Sequence, residues 1–213
     1  SDLRQKYPGS RPARRAAFGK IGAMPNLSPL NLANQFLIAM PGIGDPVFSD
    51  AVVYLCEHNE RGALGLVINR PTDIDLSTLF DKIDLKLESD TLGAQTVLFG
   101  GPVQVERGFV LHEGGGDEYS STLKVPGGLQ MTTSKDVLEA VAAGHGPKRF
   151  VMTLGYAGWS AGQLESEISA NGWLTVEADP AIIFEVPVEG RLHAAADLLG
   201  IDLAMLSGDA GHA

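Results

Sequence analysis

Two arginines are the side chains of this sequence best suited to bind an anion. Arg70 directly follows Asn69 at the end of an apolar run, and Arg107 comes shortly after the motif FGGPV at 99–103. A guanidinium group presents a planar fork of donors that matches a carboxylate or a phosphate. A structural salt bridge to an acidic residue is the alternative role for each arginine, and both interpretations stay open.

A glycine-rich segment at 155–165, GYAGWSAGQLE, is the other candidate for ligand binding. Its pattern predicts a strand that ends at Leu154, then a loop, then a helix that begins at Ser160. Such a junction exposes backbone N–H groups and the positive end of a helix dipole, which favour an anion. The segment lacks the lysine and the spacing of a P-loop and also the GxGxxG dinucleotide motif. Glu165 and Glu167 lie in the first turns of that helix and would repel an anion.

Together these segments define one candidate ligand site. Its residues are Asn69, Arg70, Gly100, Gly101, Arg107, Tyr156, Gly158, Trp159 and Gln163. The hypothesis requires the two arginines and the 155–163 segment to converge on one polar pocket. In the alternative, the glycines permit tight packing and the two aromatic side chains fill the core.

The other reactive side chains form no recognisable catalytic set. Cys56 and His58 share one face of a predicted strand, but such neighbours are about 6.6 Å apart along it, too far for a direct hydrogen bond. His112 and Glu113 are adjacent in sequence, at a strand end where polar residues are usual. No HExxH motif occurs and no serine has a recognisable base partner, so no catalytic residue is assigned and neither a metal nor a cofactor is expected.

Composition and charge restrict the classes of protein. A chain of 213 residues with 44% hydrophobic residues can build a single domain around its own core. The single cysteine excludes a disulfide framework, and no apolar run is long enough for a membrane span, so a cytoplasmic protein is expected. Residues 1–20 carry six cations and one acid, or +5, in a chain of net charge −10. The remainder is therefore strongly acidic, which disfavours direct binding of nucleic acid.

The hydrophobic pattern predicts an α+β fold with a mixed, largely antiparallel sheet and about four helices. Strands are predicted over 34–40, 51–58, 63–68, 96–99, 108–112, 128–132, 150–154, 173–176 and 182–186. Helices are predicted over 75–83, 133–143, 160–171 and 189–199. Residues 1–30 are expected to be a basic, flexible extension, and 31–213 a single domain.

Several long motifs, in one order, resemble the AlgH/YqgE family of bacterial proteins. They include FLIAMPGIGDPVF (36–48), GALGLVINRP (62–71), RGFVLH (107–112) and GYAGWSAGQLESEI (155–168). The resemblance implies a compact α+β fold, a cytoplasmic location and a biochemical activity that is poorly defined. Members of the family are often labelled transcriptional regulators because of a genetic link to alginate production. That label implies no DNA-binding motif.

Three functional hypotheses follow. The first is a cytoplasmic regulatory or interaction protein that acts on transcription indirectly, through an unidentified protein partner and without covalent catalysis. The second is a protein that binds a small molecule or anion, or an enzyme, using the polar loops around Arg70, Arg107 and 156–163. The third, a regulator that binds DNA directly, is disfavoured by the acidic charge and by the absence of consecutive predicted helices.

Overall fold

The computed structural model describes residues 30–204. Apart from Leu30, the basic extension expected over 1–30 lies outside the described residues. The strands are β1 (Gln35–Ala39), β2 (Val52–Asn59), β3 (Gly62–Val67), β4 (Pro71–Asp75), β5 (Thr96–Phe99), β6 (Val103–Glu113), β7 (Thr122–Lys124), β8 (Leu129–Thr132), β9 (Phe150–Ser160) and β10 (Trp173–Glu177). The α-helices are α1 (Leu76–Lys82), α2 (Asp90–Gly93), α3 (Lys135–Ala142), α4 (Gln163–Ser169), α5 (Pro180–Phe184) and α6 (Arg191–Leu198).

The ten strands form one sheet that is mostly antiparallel. Its main path runs β10-β1-β2-β3-β9-β6-β8-β7, and β4 and β5 branch from it at β9. Strand β5 runs parallel to β9, and every other pairing among the described strands is antiparallel. The predicted α+β class with a mixed, largely antiparallel sheet is confirmed.

Strand β9 joins the two halves of the sheet. Its first half pairs with β5 and β6, and its last four residues pair with β3. The neighbours change at Gly155, whose φ of 77° lies in the left-handed region that glycine adopts without strain. A single strand therefore brings the GYAGW motif into contact with both halves of the molecule.

Helices cover the sheet on both faces because the strands alternate their apolar side chains. On one face Val52 and Tyr54 belong to a cluster that α5 and α6 cover. On the other face Val53 and Leu55 pack with Trp159 and α4. A third cluster lies between helices α1 and α3 and strands β5, β6 and β9.

Two local predictions are wrong. The segment 182–186 is not a strand, because Asp179 caps a helix by accepting a hydrogen bond from the Ala181 N–H, and Pro180 fits its first turn. The segment 155–160 is not a loop, because β9 continues through Ser160 and α4 begins at Gln163. The strand-to-helix junction proposed for an anion is therefore absent from that position.

Short elements account for the remaining differences. The structure adds strands β4 and β7 and the four-residue helix α2, so the described residues contain six α-helices where about four are predicted. Helix α1 is confirmed with its cap, since the Asp75 carboxylate accepts from the Thr78 N–H at 2.8 Å. Among residues 30–204, no helix has the length and apolar character that crossing a bilayer requires.

Candidate functional site

A bulge in β6 carries Arg107 out of the sheet. Val103 of β6 pairs with Tyr156 of β9, but the next paired residue of β6 is Gly108. The intervening residues 104–107 loop out of the ladder, and Arg107, the last of them, is exposed. The bulge thus removes the backbone of Arg107 from strand pairing and leaves its side chain exposed.

The bulge borders a cavity of about 390 Å³, a volume that suits a small molecule. Strands β3, β6, β8 and β9 and the segment 120–123 line it. Its apolar lining is Leu64, Phe109, Leu123 and Met131. Its polar lining is Gln104, Arg107, Ser120, Ser121, Thr122, Thr133 and Tyr156. One cavity therefore combines a cation, several hydroxyl groups and an apolar wall.

The positive charge of Arg107 is not neutralised by the part of the chain that the structure describes. Its Nη1 donates a long hydrogen bond of 3.4 Å to Gln104 Oε1, and its Cζ lies 5.8 Å from the centroid of the Phe109 ring. Within residues 30–204 no carboxylate lies within 4.0 Å of its guanidinium. The guanidinium can therefore pair with an external anion without first breaking an ion pair.

Tyr156 forms the floor of the cavity. The side chain is 1% exposed, and its ring packs edge-to-face against Phe109 at a centroid distance of 5.4 Å. Burial raises the pKa of the Tyr156 phenol, and the nearby charge of Arg107 opposes that rise. The phenol therefore remains protonated at neutral pH.

The start of α3 fixes the serines of the cavity. The Asp136 carboxylate accepts from the Ser120 N–H at 2.7 Å and from the Ser120 hydroxyl at 3.0 Å. Ser134 connects the same carboxylate to the Ser121 N–H. Hydrogen bonds from the hydroxyls and backbone, that of Ser134 foremost, lower the pKa of Asp136. The segment that carries Ser120 and Ser121 is thus held by an ionised carboxylate.

Asn69 and Arg70 lie elsewhere and bind backbone. The Arg70 guanidinium donates to the carbonyl oxygens of Val47 and Ser49, the latter at 2.7 Å. The Asn69 amide donates to the Asp50 carbonyl at 2.8 Å and accepts from the Val52 N–H at 2.9 Å. These bonds fasten the segment 47–52 to the end of β3, and neither side chain lines the Arg107 cavity. The structure does not bring the two candidate arginines together.

Gly100 and Gly101 serve a close contact between two backbones. A Cβ at Gly100 would lie 2.3 Å from the Gly155 carbonyl oxygen, and a Cβ at Gly101 would lie 2.1 Å from the carbonyl carbon of Tyr156. Any side chain there would push β9 away and displace Tyr156. The glycines of the motifs FGGPV and GYAG therefore shape the cavity by packing, in agreement with the alternative interpretation.

Gly158, Trp159 and Gln163 line a different cavity of about 250 Å³, together with Asp45 and Glu167. The indole N–H groups of Trp159 and Trp173 donate to Glu167 Oε1 at 3.3 and 3.0 Å, and Gln163 donates to Glu167 Oε2 at 2.9 Å. All three donors are neutral side chains, so none of them is a counter-ion to the carboxylate. This cavity is unfavourable for an anion.

The other reactive side chains have separate partners. His58 accepts from the Leu32 N–H at 3.0 Å and bonds to Glu165 rather than to Cys56. The Glu113 carboxylate pairs with Arg149 rather than with the neighbouring imidazole. Among the described residues no group of three His, Cys, Asp or Glu side chains is arranged to hold a metal ion.

Sequence reasoning missed the serines and threonines that line the cavity, which are Ser120, Ser121, Thr122 and Thr133. They lie in or next to β7 and β8, and their position depends on the pairing of these strands with β6. The stretch before β7 is polar and glycine-rich, so it has the pattern of an ordinary loop. The one sequence signal for these residues was the run of serine and threonine at 120–122, which follows the candidate Arg107 in the chain.

The fold and the cavity define a class: an α+β protein with a curled antiparallel sheet and one cavity that combines an arginine with hydroxyl groups. The model of the AlgH-like family, DUF179, matches residues 36–204. Since that match covers most of the chain, the protein belongs to the AlgH-like family. The resemblance inferred from the motifs is confirmed.

Bacterial relatives share most of the chain. A UPF0301 protein of Ralstonia nicotianae is 75% identical over 186 residues, which cover 87% of this chain and 97% of the relative. A UPF0301 protein of Cupriavidus metallidurans is 74% identical over the same share of each chain. The similarity therefore extends over nearly the whole length of both relatives.

Two solved structures support the fold. The solution structure of the AlgH protein from Pseudomonas aeruginosa is 53% identical in sequence, with a TM-score of 0.71, and the match covers 87% of this chain and 98% of that one. A crystal structure of a protein from Corynebacterium diphtheriae matches with a TM-score of 0.57 at 20% identity, over 75% of this chain and 84% of that one. The second match supports the fold alone.

Proposed function

We propose that this protein binds a small anionic molecule in the cavity beside Arg107 and acts through that binding rather than through covalent catalysis. The observation that carries the proposal is the guanidinium of Arg107 at a cavity lined by serine and threonine residues, with no carboxylate of residues 30–204 as its ion-pair partner. A cation in such a place attracts a carboxylate or a phosphate.

The lining also restricts the shape of the ligand. Arg107 and the hydroxyl of Ser121 supply donors for the charged group, and Leu123 and Met131 supply an apolar wall. The ligand class is therefore a carboxylate or phosphate attached to an apolar body.

The regulatory role that the family label implies would be the consequence of ligand binding. The bulge that carries Arg107 also carries Val105, whose side chain is 48% exposed between polar neighbours. A ligand bound by Arg107 would change the conformation of this bulge. A protein partner in the cytoplasm would then recognise the changed surface. The net charge of −10 favours such indirect action over contact with DNA.

The charge of the ligand is tested with four compounds that share one ring. Phenyl phosphate and benzoate are anions, benzyl alcohol is neutral and benzylamine is a cation. We expect the two anions alone to raise the melting temperature. At 100 times its Kd a ligand adds about 2.7 kcal/mol of stability, or roughly 5–10 °C for a chain of this size.

Two results would contradict the proposal. If benzylamine stabilises the protein as much as benzoate does, the cavity does not select for negative charge. If none of the four compounds changes the melting temperature at millimolar concentration, the cavity is not a site for this ligand class.

A further inference from the structure

Strand β10 lies at one edge of the sheet, with β1 as its single strand neighbour. Just before β10, the Gly172 carbonyl accepts from the Met40 N–H at 2.9 Å. Just after it, the Ala178 N–H donates to the Asn34 carbonyl at 3.0 Å. Opposite residues of an antiparallel pair alternate between hydrogen-bonded and non-bonded pairs, so the residues at 174 and 176 also face β1. The residues that direct their N–H and C=O groups away from β1 are Trp173, Thr175 and Glu177.

These outward groups form an open hydrogen-bonding edge. Among residues 30–204, no backbone group bonds to the outer side of β10. Thr175 is half-buried and Glu177 is exposed, so this side of the strand is accessible. A row of unpaired N–H and C=O groups is a template on which another strand can pair.

The other two edge strands of the described sheet, β4 and β7, are protected against such pairing. Strand β7 has three residues and ends at Lys124. Strand β4 begins at Pro71, carries Asp73 and pairs irregularly with β5. Short length, proline, charge and irregular pairing all discourage the addition of a strand. Strand β10 has five residues, a regular register with β1 and neither proline nor lysine, so it is the edge suited to accept one.

The chain around β10 is acidic. Residues 150–190 contain six acidic residues and no lysine or arginine. Glu177 and Asp179, at the end of β10, are exposed, and within residues 30–204 no cationic group lies within 4.0 Å of either carboxylate. Charge complementarity therefore favours a partner strand that carries lysine or arginine.

We infer that β10 accepts an extended, basic segment of a partner protein as an added antiparallel strand. The outward backbone groups supply the hydrogen bonds, and basic side chains on one face of the added strand meet Glu177. Apolar side chains on its other face lie beside Leu174 and Val176, which pack at the margin of the core. Strands β1 and β2 separate β10 from the strands that line the Arg107 cavity, so the inference does not depend on the proposed function.

The probe is the peptide acetyl-TKVKVKT-amide, added to the full chain while NMR follows amide hydrogen exchange. In an antiparallel strand whose lysines share the face of Glu177, the lysine N–H groups point to β10 and the valine N–H groups point away. At ten times the Kd of the peptide, we expect the amides of Thr175 and Glu177 to exchange about tenfold more slowly.

Two N-methylated peptides are the matched pair of controls. Methyl groups on the lysine nitrogens remove the donors toward β10, so we expect this peptide to give no protection. Methyl groups on the valine nitrogens lie on the outer side and should leave the protection in place. In the protein, Thr175→Pro removes an outward N–H but no bond to β1, so we expect the unmethylated peptide to bind about tenfold more weakly. If this variant does not fold, the two methylated peptides decide the question with the wild-type chain.

A peptide with glutamate in place of lysine, acetyl-TEVEVET-amide, tests the charge, and we expect it to give no protection at the same concentration. Equal protection by the lysine and glutamate peptides overturns the basic partner. Equal behaviour of the two methylated peptides, or no protection by the unmethylated lysine peptide at millimolar concentration, overturns strand addition. Amides of Thr175 and Glu177 that are protected without peptide also overturn the inference, because the edge is then occupied by the chain itself or, where protection rises with protein concentration, by a second copy.

Discussion

Replacing Arg107 with glutamine is expected to weaken the binding of phenyl phosphate by about 10- to 150-fold. Hydrogen bonds to charged groups contribute about 1.5–3 kcal/mol, and among residues 30–204 this side chain is the only guanidinium that lines the cavity. Because Arg107 is exposed and pairs with no described acid, its loss leaves the melting temperature nearly unchanged. Calorimetric titration of the variant measures the effect.

The matched control is Lys148→Gln, which removes one positive charge from an exposed position outside the cavity. We expect this variant to bind phenyl phosphate within about twofold of the wild type, since distant exposed charges are screened by salt. Equal weakening by both changes would mean that net charge, rather than the Arg107 site, attracts the anion.

Gly101→Ala is the single substitution expected to damage the fold most. The added Cβ would lie 2.1 Å from the Tyr156 carbonyl carbon and 2.3 Å from the Ala157 nitrogen, at a φ of 151°. Both neighbours are backbone atoms of β9, so no side-chain rotation relieves the overlap. We expect a loss of more than about 4 kcal/mol in the free energy of unfolding, measured by chemical denaturation.

Gly116→Ala serves as the comparison for this change. No heavy atom lies within 4 Å of a Cβ built on Gly116, and the residue lies in an exposed loop. Its stability should stay within about 0.5 kcal/mol of the wild type. A Gly101→Ala protein that unfolds at the same denaturant concentration as Gly116→Ala would show that the contact between the two motifs is not tight.

Much of the sheet was predictable because strand periodicity and apolar runs are local. Strand β5 occupies the predicted residues 96–99, and the hairpin β2–β3 differs from its prediction by one residue at each end. The strand predicted over 182–186 failed because its apolar residues were read without the cap at Asp179 and Pro180. A short buried helix and a short buried strand have the same composition, so the cap decides between them.

The candidate site was only partly predictable because its assembly is tertiary. Arg107 and Tyr156 were selected by residue type and meet in one cavity because a bulge in β6 lies against β9. Arg70 has the same chemistry, yet the carbonyls it binds belong to a segment about twenty residues away. The residue type gives an arginine the capacity to bind an anion, whereas its neighbours in the folded structure decide which group it binds.

The buried His112 illustrates the same limit, since its Nε2 bonds to Thr132 Oγ1 at 2.7 Å. Thr122 and Thr132 are ten residues apart in sequence and become hydrogen-bonded only through the pairing of β7 with β8. The sequence pattern placed His112 beside Glu113, but side chains adjacent on a strand point to opposite faces. The neighbour that matters to the imidazole is therefore across the sheet.

The central claim is that an anion occupies the Arg107 cavity, and the most direct test is an NMR titration of the wild-type protein with phenyl phosphate. The backbone amide signals report where the ligand binds. We expect the largest shifts in residues 104–109, 120–123 and 131–133, which border the cavity. Shifts concentrated in 42–48 and 158–170, around the acidic cavity of Glu167, or no shifts at saturating ligand, would contradict the account.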